Sequence, residues 1–383
     1  MTIHLSGGVV AASLAAPIEI QRPPVIRFGA GLAESAGEWA RMRGASRILV
    51  VADAFNAARV DVLGFTGEVS VFGEVRPEPD LPNLEAVLKL AESLRPDLVV
   101  GFGGGSAMDL AKLVAVLPGS GQTIHDVVGP ERVHAKRSAL MQVPTTSGTG
   151  SEAGTRALVT DPETRNKLAV QSLHCQADIA IVDPALTLTL PASVTAASGV
   201  DAMAHCVEAF TSRKAHPLID LYAIEGTRLV ARFLGRAIRD GSDLEARAGL
   251  SLASLYGGFC LGPVNTTAGH AVAYPLGTRH HIAHGAANAL IFPHTLAFNA
   301  PAMPEKTQAV LDALGVAKGA DVFDAAYRYC ADLGCEMRLS AFNVPRDDLP
   351  VMAREAHAIR RLLDNNPRDI AQGQIQAIYE AAY

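Results

Sequence analysis

The sequence predicts two domains of different class, an α/β domain over residues 1–193 and an all-helical domain over residues 194–383. Three observations carry this. Short, continuous apolar runs alternate with amphipathic stretches as far as about Leu190, the pattern of a parallel sheet covered on both faces. One of those runs ends in a glycine cluster, GFGGGS at 101–106. Beyond Leu190 strand-like runs nearly vanish, and the segments become long, alanine-rich and helical in period. A chain of 383 residues is also long for a single core.

The elements follow in order. VIRFGAG, from Val25, reads as a strand and turn, and LAESAGEWARMRG as an amphipathic helix stopped by glycine. RILVVAD is a short buried strand. NLEAVLKLAESLRP is a second helix, ended at Pro96. DLVVGFGGG is another apolar strand that runs into glycines, followed by the helix SAMDLAKLVAVL. SALMQVPTTSGTGSEAG gives a strand and a polar loop, RALVTDPETRNKLAVQS a hairpin around Asp161-Pro162, and ADIAIVDPAL a last strand. Residues 1–22 fit none of these patterns and read as a loose N-terminal extension. Their apolar middle lacks the basic start of a secretory signal.

Apolar residues make up 49% and charged residues 19%, which suits a filled globular core. The net charge is −6, and lysines and arginines are scattered, which argues against nucleic acid or an anionic membrane as partner. No uninterrupted apolar stretch reaches the about 18 residues of a membrane span. The five cysteines are odd in number and lack zinc-ribbon spacing. Free thiols and a cytoplasmic location are the simple reading.

Gly103, Gly104, Gly105 and Ser106 link a buried strand to a helix. Glycines there let the backbone approach a pyrophosphate, and the helix N-terminus supplies free N–H groups. The loop departs from the Rossmann fingerprint. Ser106 stands at the third glycine position, and the best ribose-binding carboxylate, Asp53, lies upstream rather than about 20 residues downstream. Other readings stay open: Ser106 and Asp109 fit a helix-capping pair, and Asp53 fits a turn. Thr145, Thr146 and Thr149 in PTTSGTGSE add hydroxyl donors suited to phosphate or ribose.

Asp201 and His205 are four apart and share a helix face. His270 and His284 lie at or near segment starts among small residues. One carboxylate and three imidazoles suit a single divalent transition metal. Cys206 points about 100° away from His205 on a helix and reads as packing.

The segments GGGSAMDLAK, PTTSGTGSE, DAMAHCVEA and GHAVAYPLG followed by HGAANALIFPH resemble, in this order, the iron-containing (group III) alcohol dehydrogenases. The resemblance runs from about Val25 through nearly the whole chain. It implies a dinucleotide-binding α/β domain, a helical domain in a dehydroquinate synthase-like architecture, and an active site in the cleft between them. It further implies NAD(H), a divalent metal (Fe(II), with Zn(II) the alternative) and a homodimer. Motif by motif, Asp201, His205, His270 and His284 fall on the metal ligands. Asp53, Gly103, Gly104, Gly105, Ser106, Thr145, Thr146 and Thr149 fall on cofactor contacts, and Lys167 on a lysine near the nicotinamide ribose. Asp109 lies in the dinucleotide motif without a fixed role.

Many relatives carry a histidine four residues after the third metal ligand, where this chain has Tyr274, a different acid with an ordinary pKa near 10. Tyr274, His280 and His281 are the candidate proton relays or substrate contacts. The implied reaction is hydride transfer between NAD(H) and a small alcohol or aldehyde, with the metal stabilising negative charge on the substrate oxygen. Arg279, Lys167 and His280 bring a hydroxy acid or semialdehyde into the substrate range. A metal-independent reductase like maleylacetate reductase is the alternative. A zinc lyase resembling dehydroquinate synthase is disfavoured, because the segments around the ligands are small and apolar rather than basic.

Overall fold

The computed structural model describes residues 14–383; the expectations for the first 13 residues lie outside the described part. Among the described residues there are nine strands: β1 Val25–Phe28, β2 Arg47–Ala52, β3 Glu68–Phe72, β4 Leu98–Gly103, β5 Gly129–Pro130, β6 Ala139–Pro144, β7 Arg156–Asp161, β8 Asn166–Gln171 and β9 Ile179–Val182. Between them run α1 Ser35–Met42, α2 Ala54–Ala57, α3 Leu81–Leu94, α4 Gly105–Val114 and α5 Ile124–Val127.

Six strands form one sheet in the order β1-β9-β6-β4-β2-β3, and every pairing in it is parallel. The alternation of side chains across a strand explains its two covers. Ile48, Val50 and Val100 pack with Trp39 and Ala36 of α1. Leu49, Val51 and Val99 face the other way, onto Leu84 and Val87 of α3 and Leu110 and Leu113 of α4. Strand β3, EVSVF, is absent from the sequence reading. It is the sheet's edge strand and only Phe72 in it is buried, so it lacks the continuous apolar run that marked β2 and β4. Helix α3 starts two residues earlier than read, at Leu81, with Asp80 capping it through Asn83 N.

From β2 the chain steps outward to β3 and returns across the sheet to β4. A crevice therefore opens beyond the C-terminal ends of β2 and β4, where open α/β sheets bind ligands. Asp53 follows β2 and the glycine loop follows β4. Strands β7 and β8 form the expected antiparallel hairpin, joined by β5 in a small second sheet.

After β9 every regular element is helical: α6 Ala192–Thr211, α7 Pro217–Arg239, α8 Leu244–Leu261, α9 Ala268–His280, α10 His284–Asn299, α11 Pro304–Ala313, α12 Val322–Asp332, α13 Leu349–Ala358, α14 Arg360–Leu363 and α15 Gln372–Ala381. One core joins α6, α7, α8 and α10, and a second joins α9, α10, α13 and α15. The cysteines are free, and all but Cys335 are buried. No helix of the described residues is long and apolar enough to cross a membrane.

The threonine loop after β6 is pressed between the sheet and these helices. Gly150 is left-handed, with φ of 61°, and a Cβ on it would come within 2.5 Å of Gly258 N in α8. The two segments thus cross backbone to backbone. Gly148, two residues earlier, lies in the same way against Ser198 of α6.

Candidate active site

Helix α6 presents Asp201 and His205 one turn apart, α9 presents His270, and α10 begins with His284. One ligand atom from each comes within 4.8 Å of all the others. Asp201 Oδ1 lies 3.9 Å from His205 Nε2, 3.5 Å from His270 Nε2 and 3.6 Å from His284 Nε2. Asp201, His205 and His270 are buried, while the His284 side chain keeps 24% of its exposure.

Two of the imidazoles are fixed from behind. His205 Nδ1 sits 3.2 Å from the Gly148 carbonyl, and His270 Nδ1 sits 2.6 Å from Glu208 Oε1. With Nδ1 donating, each ring turns its Nε2 toward Asp201. The other Glu208 oxygen accepts from Thr267 N and Oγ1, so the buried carboxylate is fully engaged. Asn288 Nδ2 donates to Asp201 Oδ1 at 2.7 Å and sits 3.2 Å from Nε2 of both His270 and His284. Its buried Oδ1 has no partner. Neither Glu208 nor Asn288 was singled out in the sequence, yet a signal was there. Asp201, His205 and Glu208 are spaced i, i+4, i+7 on one helix face, and Asn288 is one turn after His284.

The electrostatics agree with the geometry. Burial pushes Asp201 up, but the three histidines outweigh it and hold the carboxylate well below its ordinary range. Burial lowers His205. Burial also acts to lower His270, but Glu208 and Asp201 overcome it and raise that ring to about 10. An ionised carboxylate with three converging imidazole nitrogens, anchored from behind, fits a divalent cation. Glu208→Gln is expected to weaken metal affinity by about 10–100-fold. Competition with a chromophoric chelator measures this, and a change under about threefold would count against the anchoring role.

A cavity of about 360 Å³ runs from the Pro77–Pro79 loop past the glycine loop to His205, His270 and His284. Gly104, Gly105, Ser106, Asp109, Thr146, Thr149 and Lys167 all line it. Gly104 is the N-cap of α4, so Ser106 lies inside the helix and the Ser106–Asp109 capping pair does not form. A Cβ on Gly105 would stand 2.7 Å from Thr149 Cγ2, so the two loops close on each other through the missing side chain. Asp109 accepts from Ser151 Oγ at 2.6 Å and Leu158 N at 3.0 Å and pairs with Lys112. It braces α4 against β7.

Asp53, Gly103 and Thr145 are not in the cavity lining. Asp53 caps α2 through Asn56 N at 3.0 Å and accepts from Asn56 Nδ2 at 2.6 Å. That amide also donates to buried Thr145 at 3.2 Å, which places Thr145 behind the wall. A Cβ on Gly103 would stand 3.3 Å from Asp53 Oδ2, so the carboxylate lies directly over the end of β4.

Tyr274 is buried in the cavity wall, its ring 5.9 Å from that of His284. Arg361 Nη2 donates to its hydroxyl at 3.3 Å. Burial pushes the phenol up, but Arg361 and His270 outweigh this and hold it below its ordinary value. Lys167 pairs with Glu78 and lies 5.7 Å from the Tyr274 ring centre. The remaining expected contacts lie outside the lining of this cavity. Arg279 pairs with Glu355 at 2.9 Å, His280 faces Asp348 at 3.3 Å, and exposed His281 closes α9 with φ of 55°. None of the three lines the cavity. The reason is length, since ten residues of helix beyond His270 cover about 15 Å.

Comparison with known proteins agrees with this arrangement. Residues 23–184 match the family model described as iron-containing alcohol dehydrogenase, and residues 195–383 match its C-terminal model. The chain is 35% identical to long-chain-alcohol dehydrogenase 1 of Geobacillus thermodenitrificans, over 94% of this chain and 95% of that protein. A crystal structure of 1,3-propanediol oxidoreductase superposes with a TM-score of 0.89 at 31% identity, covering 96% of this chain and all (100%) of that one. Sulfoacetaldehyde reductase from Bifidobacterium kashiwanohense, solved with NAD+, gives 0.87 at 28% identity, covering 96% and 99%. The chain therefore belongs to the iron-containing alcohol dehydrogenase family, the metal-dependent oxidoreductases that interconvert alcohols and aldehydes.

Proposed function

We propose that Asp201, His205, His270 and His284 hold one divalent ion and that the enzyme catalyses aldehyde + NADH + H+ ⇌ alcohol + NAD+ on small substrates. The observation that carries this reading is the single cavity joining the α4 N-terminus to the four-residue cluster. Membership in the family implies NAD(H) and a divalent metal. Bound there, the ion supplies a Lewis acid and the nicotinamide supplies or accepts the hydride.

The chain's own groups do the rest. The N–H groups of Gly105 and Ser106, at the positive end of α4, receive the pyrophosphate. Asp53 receives the ribose hydroxyls, and Lys167, held by Glu78, sits at the nicotinamide ribose. Thr146 and Thr149 close the loop over the cofactor. Tyr274, its hydroxyl held by Arg361, stands beside His284 in place of the histidine of many relatives. Iron is favoured by the family, and zinc suits the same donors. Residues 1–193 and 194–383 serve as cofactor and metal domains. A cytoplasmic homodimer completes the proposal.

The test is a metal-stripped protein reloaded with Fe(II) or Zn(II) and assayed for NADH oxidation over an aldehyde panel. Turnover restored by either ion supports the reading. Undiminished turnover in the stripped protein would replace it with a metal-independent reductase. Because the Asp53 carboxylate repels a 2′-phosphate, kcat/KM with NADH should exceed that with NADPH by about tenfold or more. Asp53→Ser should shrink the gap, and equal efficiency in the unaltered enzyme would remove Asp53 from the ribose site.

A further inference from the structure

The geometry points to a substrate that carries a terminal anion, carboxylate or sulfonate, selected by Arg156 and Arg361 with the Tyr274 hydroxyl. This rests on reading the cavity as the alcohol–aldehyde site. Arg156 opens β7 directly after the threonine loop and lines the same cavity as His205, His270 and His284. Its guanidinium donates to Asn265 Oδ1 at 2.8 Å and Gln171 Oε1 at 3.0 Å. Both acceptors are neutral. Burial pushes this group down to about 10, and nearby Arg361 adds to the fall.

Arg361 is exposed and lines an adjoining pocket that shares Lys167 and Tyr274 with this cavity. Its neighbours are matched, Arg360 by Asp364 and Arg279 by Glu355. Arg361 itself donates to Tyr274 Oη and lies 5.5 Å from that ring's centre. Among the described residues neither Arg156 nor Arg361 has a carboxylate within ion-pair distance. Lys167, by contrast, is matched by Glu78.

Two guanidinium groups without a paired carboxylate thus lie near Tyr274, Arg361 bonded to its hydroxyl and Arg156 in the wall of the same cavity. The carboxylates close by are committed elsewhere: Asp201 to the histidine cluster, Asp109 to Ser151, Leu158 and Lys112. The pyrophosphate is expected at the α4 N-terminus, which leaves the substrate to bring the missing charge. A partly buried cation facing an alkyl chain would lose hydration and gain nothing. Facing a carboxylate or sulfonate, the planar fork makes short charge-assisted hydrogen bonds. Tyr274 Oη accepts from Arg361 and keeps its own hydrogen to donate. With its ring 5.9 Å from that of His284, carbonyl and anion of one substrate are joined by a short carbon chain.

The experiment compares 4-oxobutanoate, 2-oxoethanesulfonate and neutral butanal on the metal-loaded enzyme. One of the anions should exceed butanal in kcat/KM by about tenfold or more. Arg156→Gln and Arg361→Gln should each cut that ratio by about tenfold. Arg361 is exposed, so its variant decides the matter if Arg156→Gln fails to fold. A second readout is calorimetric binding of butanoate and ethanesulfonate to the metal-loaded, NAD+-saturated enzyme, where the tighter ligand identifies the anion. Preference for butanal, ratios unchanged in both variants, or no binding of either anion overturns the proposal. Anion binding that depends on Arg156, without turnover of any aldehyde, upholds the anion site and overturns the alcohol–aldehyde reading instead.

Discussion

His270→Ala should empty the metal site and lower turnover by about 10³-fold or more, because a Lewis acid supplies several kcal/mol of charge stabilisation and each 1.36 kcal/mol is about tenfold. His270 is central to the cluster. It faces Asp201 at 3.5 Å, stacks on His205 with ring centres 4.6 Å apart, and takes the Glu208 carboxylate on its far nitrogen. Its loss also strands Glu208 Oε1, while Oε2 keeps the bonds from Thr267 and from the backbone N–H of residue 270. Breaking a buried pair from one side costs about 3–5 kcal/mol, so falling activity alone is ambiguous. The double variant Glu208→Ala/His270→Ala separates the effects. It should regain much of the lost stability in denaturant titration while its metal content stays near zero. A single variant that holds no metal yet turns over at the full rate would sink the mechanism.

The largest expected pH-dependent effect on stability comes from Glu152, the last residue of PTTSGTGSE and 2% exposed. Burial, opposed by its own backbone N–H and by Lys112, raises its carboxyl from 4.5 to about 7. The native state therefore favours the neutral acid. The contribution is fully present below the unfolded value of 4.5 and is lost as pH rises through about 7. The displacement corresponds to about 3 kcal/mol. Glu152→Gln keeps the shape and removes the titration. Relative to the unaltered enzyme, the variant should gain about 3 kcal/mol between pH 4 and pH 8 by denaturant unfolding. A difference between the two proteins that does not vary with pH would show that Glu152 titrates alike in the folded and unfolded chain.

How much of this was readable from residues alone depends on where the information lies. Strands β2 and β4 were legible because burial on both faces leaves an unbroken apolar run. Strand β3 was not, because an edge position spares it that requirement. Asp201 and His205 could be paired by spacing, and Glu208 was equally visible on the same face. His270 and His284 come from other helices, and only the motifs linked them to the pair. Arg361 meets Tyr274 across 87 residues of sequence, which no local pattern encodes. His280 and His281 lie outside the cavity lining because nearness to His270 along the chain ignores the direction and length of α9. The Ser106–Asp109 pair failed because the helix starts at Gly105, with its cap at Gly104.

The threonine loop has one more consequence. Thr149 touches the space over Gly105, and one residue away the Gly148 carbonyl holds the His205 ring. The wall proposed to receive the dinucleotide and the imidazole proposed to face the metal therefore share a single short stretch of backbone, clamped by the Gly150–Gly258 crossing. A nucleotide that shifts this stretch alters how firmly the ion is held. Thermodynamic reciprocity then requires the ion to alter nucleotide affinity by the same factor. Filling either half of the cleft is thus a message to the other, carried by main chain that has no side-chain freedom to absorb it.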